Sequence, residues 1–257
     1  MLWAGSSLQI VCAQNAAKQA IRSDAIPSDV KKLMQAYPDF ITGYHSNFII
    51  WKDGSKMIFD DGKHHKSYSE LLNTPSLSDQ MLQKYEKGKL SVSPGKNLDP
   101  GRIRYEPFFC KMYGSSQNEV RKHLVEITWC PKLVGQKILV TTINGVDKKI
   151  KELSAELDTH PELKEYITNI GGTFNWRKIS GTGRQSTHSF GTTIDINTKC
   201  SNYWQWECKC TNEEANIVYK NRIPQVIIDI FEKHGFIWGG KWYHFDTMHF
   251  EYRPELL

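Results

Sequence analysis

Three residues of the sequence have the types and the spacing expected of metal ligands. Residues 184–195 contain His188 and Asp195, seven positions apart, and His249 lies near the end of the printed sequence. Imidazole nitrogens and carboxylate oxygens are normal ligands of zinc, and catalytic zinc sites commonly use three protein ligands and leave one position open. The pattern therefore predicts an open zinc site formed by these three residues, with Gly191 allowing a sharp turn between the first two.

Asp246 is a second carboxylate close to His249, and we predict that it handles protons. The two residues are three positions apart, so on a regular strand their side chains would face opposite sides. Asp246 is therefore expected at the entry of a strand or in a bulge. From there it can accept a proton from an attacking water and pass it to a leaving amine, the role of a general base and acid. His244, in the same predicted strand, is the rival ligand.

Length and composition indicate a folded chain without a strong charge bias. The 257 residues are 39% hydrophobic and 12% aromatic, enough for one large domain or a core domain with an elaboration. The formal net charge of +5 is mild, and no run of Lys and Arg has interleaved aromatics. Nucleic acid is therefore not predicted as a partner. An anionic polymer such as a cell wall is compatible with this charge.

The first residues are predicted to be a signal peptide or a flexible tail. Residues 1–20 include a short apolar segment in which Val11 and Ala13 precede a candidate cleavage site, although a basic start is missing. This pattern predicts an exported protein, periplasmic or extracellular. No stretch approaches the roughly 18 apolar residues of a membrane span.

Cysteine use is compatible with export. Besides Cys12 the sequence has five cysteines, which predicts one or two disulfides and a free thiol. The Cys208-Lys-Cys210 pair is interpreted as a disulfide or as free thiols rather than as a second metal site, because no other ligand pair has matching spacing.

Before residue 137 the predicted elements are a hairpin, a long loop and a helix. Residues 48–59 read as two strands joined by a turn at Asp53 and Gly54. Residues 60–98 are polar, and irregular surface structure is expected there. Ser116 is predicted to cap a helix whose apolar face includes Val120, Leu124 and Ile127.

From residue 137 onward the pattern is clearer. A buried strand is predicted at 138–143, followed by a turn at Asn144 and Gly145 and by a helix with apolar residues at helical spacing, namely Val146, Ile150, Leu153 and Leu157. Further strands are expected at 173–179, 192–197 and 242–252. One helix is expected to start at Thr211 or Asn212, and another to follow Pro224 and end at Gly235. Helices followed by strands favour an α+β domain over a doubly wound one.

The pattern Ser186-x-His188-x6-Asp195, followed by Asp246-x-x-His249, resembles a known family. It is similar to the VanY-like D-alanyl-D-alanine carboxypeptidases and L-alanyl-D-glutamate peptidases, which are zinc metallopeptidases. The resemblance implies that the two histidines and Asp195 bind one zinc ion and that Asp246 is the catalytic base. It also implies a small antiparallel sheet flanked by helices, the D,D-peptidase and hedgehog-like zinc fold.

The resemblance also implies residues that contact the substrate. The arginine of the family that faces the substrate carbonyl or carboxylate best matches Arg177, with Arg184 as the alternative. Ser186 and Trp242 are further candidates for substrate binding. Because the family pattern selects His249 as the ligand, His244 is interpreted as a wall residue.

A division of the chain and a function follow from the resemblance. Residues 21–136 are predicted to be an N-terminal extension packed on a catalytic domain of residues 137–257. The implied activity is hydrolysis of peptide bonds in the stem peptides of bacterial peptidoglycan, by a carboxypeptidase or an endopeptidase. An aspartate base is more similar to the endopeptidase branch. Two alternatives stay open: a non-catalytic zinc-binding module of the same fold, and an amidase that cuts between sugar and peptide.

Overall fold

The computed structural model describes residues 25–257. The predicted signal peptide or tail, residues 1–20, lies outside the described residues, as does Cys12. Within the described part, no helix is both long enough and apolar enough to cross a bilayer.

The first sheet contains the predicted hairpin. Helix α1 (Ser28–Ala36) leads into β1 (Ile41–His45), β2 (Phe48–Trp51) and β3 (Lys56–Ile58), which pair antiparallel in the order β1-β2-β3. The turn between β2 and β3 has Gly54 at a φ of 81°, a conformation that glycine adopts without strain. The Asp53 carboxylate accepts a hydrogen bond from the backbone N–H of Ser55 at 3.0 Å. The predicted hairpin is confirmed.

The segment 60–98 is less irregular than predicted. It contains two short helices, α2 (Tyr68–Asn73) and α3 (Leu77–Gln80). Each begins with a capping box, in which a serine hydroxyl and an acidic side chain three residues later satisfy each other's backbone N–H groups. The sequence does contain the signal for these helices, a serine followed three residues later by an acidic residue, at Ser67 and Glu70 and at Ser76 and Asp79. The overall polarity of the segment favoured a loop instead.

Ser116 caps a helix, but that helix is shorter than predicted. Helix α4 (Glu106–Tyr113) is followed by α5 (Gln117–Arg121), and the Ser116 hydroxyl accepts a hydrogen bond from Glu119 N–H at 3.3 Å. Leu124 and Ile127 do not continue the helix, so that prediction was wrong. They lie on β4 (Leu124–Trp129), which pairs antiparallel with β5 (Gln136–Thr141) over six residue pairs. Pairing with β5 along the whole strand outweighs the helical spacing of these apolar residues.

The elements predicted around the next helix are confirmed, except that the strand predicted at 138–143 lies at 136–141. Asn144 and Gly145 have φ values of 57° and 67°, which turn the chain from β5 into α6 (Val146–Leu157). The apolar residues predicted for the inner face of α6 are buried, namely Val146, Ile150, Leu153 and Leu157. After α7 (Lys164–Ile167), a second amphipathic helix, α9 (Gln225–Lys233), follows Pro224 and ends before Gly235.

Two elements predicted after residue 170 are absent. Residues 173–179 form no strand: their regular pairing is limited to a single bridge between Lys178 and Gln185, while Asn175 N–H bonds to His188. No helix starts at 211 or 212. Instead α8 (Trp204–Cys208) ends at Lys209, whose φ of 54° turns the chain beside a Cys208–Cys210 disulfide.

The last sheet carries the ends of the motif. Strands β6 (Thr193–Asp195), β7 (Phe236–Trp238) and β8 (His249–Tyr252) pair antiparallel in the order β6-β8-β7. The strand predicted at 242–252 therefore starts only at His249. Its first residues bond elsewhere, because Phe245 C=O accepts from Trp204 N–H at 2.9 Å and Asp246 N–H donates to Gly239 at 3.0 Å.

Two apolar clusters stabilise these elements. One lies between the β4-β5 pair, α6, α9 and the last sheet. The other joins α1, the first sheet and α4 to Phe190, Ile237 and Trp242. Buried polar bonds connect the same parts: Tyr37 donates to Glu255 at 2.5 Å, and Tyr85 donates to Glu232 at 2.6 Å. Small antiparallel sheets and helices make the chain α+β, as predicted.

Candidate metal centre

Asp195 and His249 lie directly opposite each other on neighbouring strands. In the β6-β8 pair, Asp195 is the register partner of His249, and Ile194 is the partner of Phe250. Directly opposed side chains of an antiparallel pair share one face of the sheet. Ile194 and Phe250 are fully buried on the other face. Core packing of that pair therefore sets the register that brings the Asp195 Oδ1 atom to 3.1 Å from His249 Nδ1.

His188 reaches the same carboxylate from a tight turn. It lies in a 3-10 turn, Thr187–Phe190, that ends at Gly191 with a φ of 68°. A Cβ atom at Gly191 would lie 2.7 Å from Leu124 Cδ2 and 3.1 Å from the Thr141 backbone nitrogen. The position therefore requires glycine both for its positive φ and for lack of space. The sharp turn predicted at Gly191 is present, and it directs His188 towards Asp195.

Contacts of both ring nitrogens fix the orientation of the His188 ring. Its Nδ1 atom lies 2.6 Å from the backbone carbonyl oxygen of Thr173. A carbonyl only accepts, so Nδ1 donates and carries a proton. The other nitrogen, Nε2, lies 3.1 Å from Asp195 Oδ2. A proton or a cation is needed between these two atoms, because otherwise their lone pairs would face each other.

The three side chains form a cluster that can hold a metal ion. One ligand atom from each of His188, Asp195 and His249 lies within 4.8 Å of the other two. Both histidines are buried, whereas the Asp195 side chain keeps 19% of its exposure. Two imidazole nitrogens and one carboxylate oxygen are a common donor set for catalytic zinc. The donor atoms and their orientation fit such an ion.

Glu251 supports His249 and was missed in the sequence. It lies two residues after His249 and so on the same face of β8, with its Oε2 atom 3.5 Å from His249 Nε2. Arg104 donates to it at 2.8 Å and Arg253 at 3.1 Å. Burial opposes ionisation, but these arginines hold the pKa of Glu251 well below its usual range. A carboxylate that contacts the second nitrogen of a ligand histidine fixes the ring and raises its basicity.

The protonation of the cluster follows from its burial and its charges. Burial alone would raise the pKa of Asp195, but His188 and His249 hold it well below its usual range. Burial alone would lower the pKa of His249, but hydrogen bonds to Asp195 and Glu251 outweigh it and raise that pKa to about 10. A metal ion at this site must therefore displace a proton from His249.

Zinc affinity is expected to rise with pH for this reason. With a pKa of about 10, His249 keeps its proton throughout the neutral range when no ion is bound. Binding releases that proton, so the apparent affinity should rise about tenfold per pH unit between about pH 6 and pH 8. Competition titrations against a chelator of known affinity measure this slope. An affinity independent of pH over this range would contradict the presence of a proton on His249 in the zinc-free protein.

Asp246 lies before β8, at the strand entry predicted for it. Its backbone is held by a bond to Gly239 and by a bridge to Tyr203. Its Oδ1 atom is buried and has no hydrogen-bond partner within residues 25–257. Burial, and then the charge of Asp195, raise the pKa of Asp246 to about 6. A carboxylate with a free oxygen and a pKa near neutrality is suited to accept a proton.

The four predicted substrate residues line one cleft with the cluster. The cleft has a volume of about 510 Å³ and contains Arg177, Arg184, Ser186 and Trp242 together with the cluster and Asp246. The Trp242 ring centroid lies 5.4 Å from that of His249, and its Nε1 donates to Pro100 at 2.7 Å. Trp242 is therefore a buried wall of the site.

The two candidate arginines differ in their partners. Arg177 is exposed, and its guanidinium makes one long bond of 3.4 Å, to Lys178 C=O, with no ion pair to a described residue. Arg184 is half-buried and donates to Glu213 at 3.1 Å. Glu213 also accepts hydrogen bonds from both terminal nitrogens of Arg102. Arg177 thus presents a charge that is free for a ligand.

His244 is not placed to bind the ion. Its Nδ1 atom lies 2.7 Å from Asp99 Oδ2, and its Nε2 atom lies 2.8 Å from the Glu213 carbonyl oxygen. Both ring nitrogens are therefore used in structural bonds, and Tyr68 stacks on the ring at 5.7 Å. His244 lines the cleft as a wall residue.

The cysteine predictions are resolved for the described residues. Cys208 and Cys210 form a disulfide rather than a second metal site. Cys110, Cys130 and Cys200 are free thiols. Burial raises the pKa of the Cys130 thiol to about 12, so it is unreactive at neutral pH.

A larger groove lies away from this chemistry. It has a volume of about 810 Å³ and is lined mainly by residues before 87, including Lys63, His64 and Glu86. The metal cluster and Asp246 line the smaller cleft. Size therefore favours the groove, whereas convergent candidate ligands and a shifted pKa make the smaller cleft the candidate site.

Comparison with known families agrees with the resemblance seen in the sequence. Searches among curated proteins and among solved structures found no match. Residues 180–252 match the model of a family described as D-alanyl-D-alanine carboxypeptidase. The matched stretch contains all three members of the metal cluster and Asp246, whereas Arg177 lies just before it. Over residues 180–252 the chain is therefore similar to the D-alanyl-D-alanine carboxypeptidase family.

Proposed function

We propose that this chain is a zinc metallopeptidase that hydrolyses peptide bonds in the stem peptides of bacterial peptidoglycan. One observation carries the proposal: the His188, Asp195 and His249 cluster shares a cleft with Asp246, whose Oδ1 has no partner among the described residues. Three ligands and a separate free carboxylate are the parts that a hydrolytic zinc site needs. The family match over these same residues supports peptides of the cell wall as the substrate.

The cluster would hold one zinc ion. When bound, zinc polarises a carbonyl group and lowers the pKa of water. Thr173 and Glu251 contact the far nitrogens of the two ligand histidines and keep both rings directed at the site. Such supporting bonds typically account for 10- to 100-fold of metal affinity or activity, as an order of magnitude.

Asp246 would manage the protons of the reaction. Its free carboxylate oxygen accepts a proton from the water whose oxygen forms a bond with the peptide carbon. The carbon–nitrogen bond then breaks, and Asp246 returns the same proton to the amine that leaves. The raised pKa, about 6, favours both directions of this transfer near neutral pH. No net proton is gained or lost by the residue.

Arg177 would offset the negative charge that develops on the substrate. Its planar guanidinium can hold an oxyanion or a terminal carboxylate with two parallel hydrogen bonds. Arg184 and Ser186 line the same cleft. Because Arg184 is already bound to Glu213, we assign the charge-stabilising role to Arg177.

We further propose that the zinc fold and the division of the chain are those of the family. In this proposal residues 137–257 are the catalytic domain, and residues 21–136 are an extension packed against it. Arg102 and Arg104 belong to the extension and line the cleft, where each is paired with a carboxylate, so the extension would shape the wall of the cleft. A peptidase with this substrate has to reach the wall, so we also propose export to the periplasm or the cell exterior.

Digestion of purified peptidoglycan tests the function and identifies the bond. The products are analysed by mass, with and without a chelator. A carboxypeptidase shortens stem peptides by their terminal residue, and an endopeptidase divides them internally; either result, abolished by the chelator, is expected. Release of whole stem peptides would identify an amidase instead. Unchanged peptidoglycan would contradict the proposal and favour a non-catalytic zinc-binding module.

A further inference from the structure

Trp206 is a large apolar side chain that lines the cleft and is exposed to solvent. It lies in α8, keeps 55% of its exposure and lines the same cleft as the metal cluster. Five other tryptophans of the described chain are buried, namely Trp51, Trp129, Trp204, Trp238 and Trp242. An indole left in water forgoes the stabilisation that burial would give. A single exposed aromatic is not a site by itself, so its surroundings decide its meaning.

The backbone around Trp206 is tied directly to the proposed base. Trp204, two residues before Trp206, is buried. Its backbone N–H donates a hydrogen bond to the carbonyl oxygen of Phe245 at 2.9 Å. Tyr203 forms a bridge with Asp246. At its other end the helix stops at the Cys208–Cys210 disulfide. The start of helix α8 is therefore held beside Asp246 by backbone bonds, and these bonds position the Trp206 ring relative to Asp246.

A second aromatic residue and two polar side chains complete this wall. The Tyr203 ring meets the Trp206 ring edge to face, with centroids 5.5 Å apart and an interplanar angle of 82°. Gln205 and Thr211 line the same cleft. The wall thus combines an open aromatic face with an amide and a hydroxyl that can donate and accept hydrogen bonds.

This combination is suited to a sugar ring. One face of a pyranose carries C–H groups that pack on a flat aromatic surface, while its hydroxyls bond to nearby amides and hydroxyls. A carboxylate would be drawn to the arginines of the cleft instead. Stem peptides consist of small and charged residues, which offer little apolar surface to cover an indole. The amino sugar to which a stem peptide is attached does offer it.

We propose that Trp206 is the stacking platform for an amino-sugar ring of the substrate, an inference that rests on the proposed function. The platform makes the enzyme prefer stem peptides that are still attached to glycan over free stem peptides. Binding energy from the sugar, remote from the reacting bond, then helps to hold the peptide in the cleft.

The first test compares two substrates that differ only in the sugar. The kcat/KM value is measured for a disaccharide-linked stem peptide and for the same peptide without sugar, in wild type, Trp206→Ala and Trp206→Phe. In Trp206→Ala the ratio of the two values should fall about tenfold, the size expected for truncating an aromatic anchor. Trp206→Phe keeps a flat face and should retain most of the ratio. Val218→Ala, at another exposed apolar residue (77%), is the control.

The outcomes separate this inference from the proposed function. An unchanged ratio in Trp206→Ala, or an equal fall in both Trp206 variants, overturns the platform, even if wild type cleaves both peptides. If wild type cleaves neither peptide, the proposed function fails, and a binding measurement still decides about the platform. The probe is the disaccharide of N-acetylglucosamine and N-acetylmuramic acid, titrated by NMR. Saturable binding that weakens about tenfold in Trp206→Ala supports the platform; equal affinities or no binding overturn it.

Discussion

Replacing Asp246 by alanine is expected to abolish most turnover while zinc stays bound. General acid–base catalysis contributes about a hundredfold to ten-thousandfold to a rate, so kcat/KM for stem-peptide hydrolysis should fall by about a thousandfold. The metal cluster keeps all three of its members, which do not use the Asp246 side chain as a hydrogen-bond partner. Elemental analysis of the variant should therefore give the same zinc content as wild type.

Two further variants make the Asp246 result specific. Asp246→Asn keeps the size of the side chain but cannot accept the proton, so it should be as inactive as Asp246→Ala. Asp229→Ala changes an exposed aspartate on α9 that bonds only to Gln225 among the described residues, and it should behave as wild type. Turnover by Asp246→Ala within about tenfold of wild type would contradict its role as the base.

The stability of the Asp246 variant distinguishes loss of a base from loss of structure. Burial, and then Asp195, raise the pKa of Asp246 to about 6, whereas its unfolded-state pKa is near 3.9 as a typical value. A carboxyl pKa that folding raises lowers the free energy of unfolding as the pH rises from the unfolded-state pKa to the folded-state pKa, and the full loss is present above the latter. In the zinc-free protein, Asp246→Ala should therefore unfold at the same or a higher temperature than wild type at neutral pH. Such a result fits a residue retained for function rather than for stability.

Replacing either ligand histidine by alanine is expected to empty the metal site. Each variant leaves two ligands, and loss of a mere supporting contact already costs about 10- to 100-fold in metal affinity. Zinc affinity in His188→Ala and His249→Ala should therefore fall by more than about a hundredfold, and turnover should disappear with it. Equilibrium dialysis followed by elemental analysis measures the bound zinc.

A control histidine and the pattern of losses test the ligand set. His160 bonds to Glu162 at 2.9 Å far along the chain from either motif, so His160→Ala should keep its zinc. His244→Ala should also keep its zinc, because both nitrogens of that ring bond elsewhere. Retention of stoichiometric zinc by His249→Ala, or its loss in His244→Ala, would contradict the assignment. These outcomes differ from those expected for Asp246, where zinc stays and turnover is lost.

The candidate metal ligands and the candidate base could be predicted from the sequence, but the groups that form hydrogen bonds to the two histidines could not. The spacing of His188, Asp195 and His249 indicated the cluster, and the distance from Asp246 to His249 indicated a place at the strand entry. Glu251 became visible only with the β6-β8 register, because a carboxylate two residues after a histidine has no meaning until the strand is known. The contact between His188 and the Thr173 carbonyl involves backbone, which carries no sequence signal.

Errors in secondary structure had identifiable physical causes. The helix predicted through Leu124 and Ile127 failed because three apolar residues at helical spacing are too short a run to establish a helix, and pairing with the partner strand β5 decides for a strand. Residues 242–248 look like a strand in composition, yet they bond to Trp204 and Gly239 instead of to a sheet neighbour. Trp204 is buried and Trp206 is exposed in the same short helix. The sequence could not predict this difference, because it does not show which face of α8 lines the cleft.

A zinc titration of the peptidoglycan digestion tests the central claim most directly. The protein is stripped with a chelator, freed from it, and given increasing amounts of zinc while product formation is measured. We predict no products without zinc, and activity that rises and levels off at one ion per chain, as a single cluster of His188, Asp195 and His249 requires. Full activity in the stripped protein, or no activity at any zinc concentration, would contradict the claim.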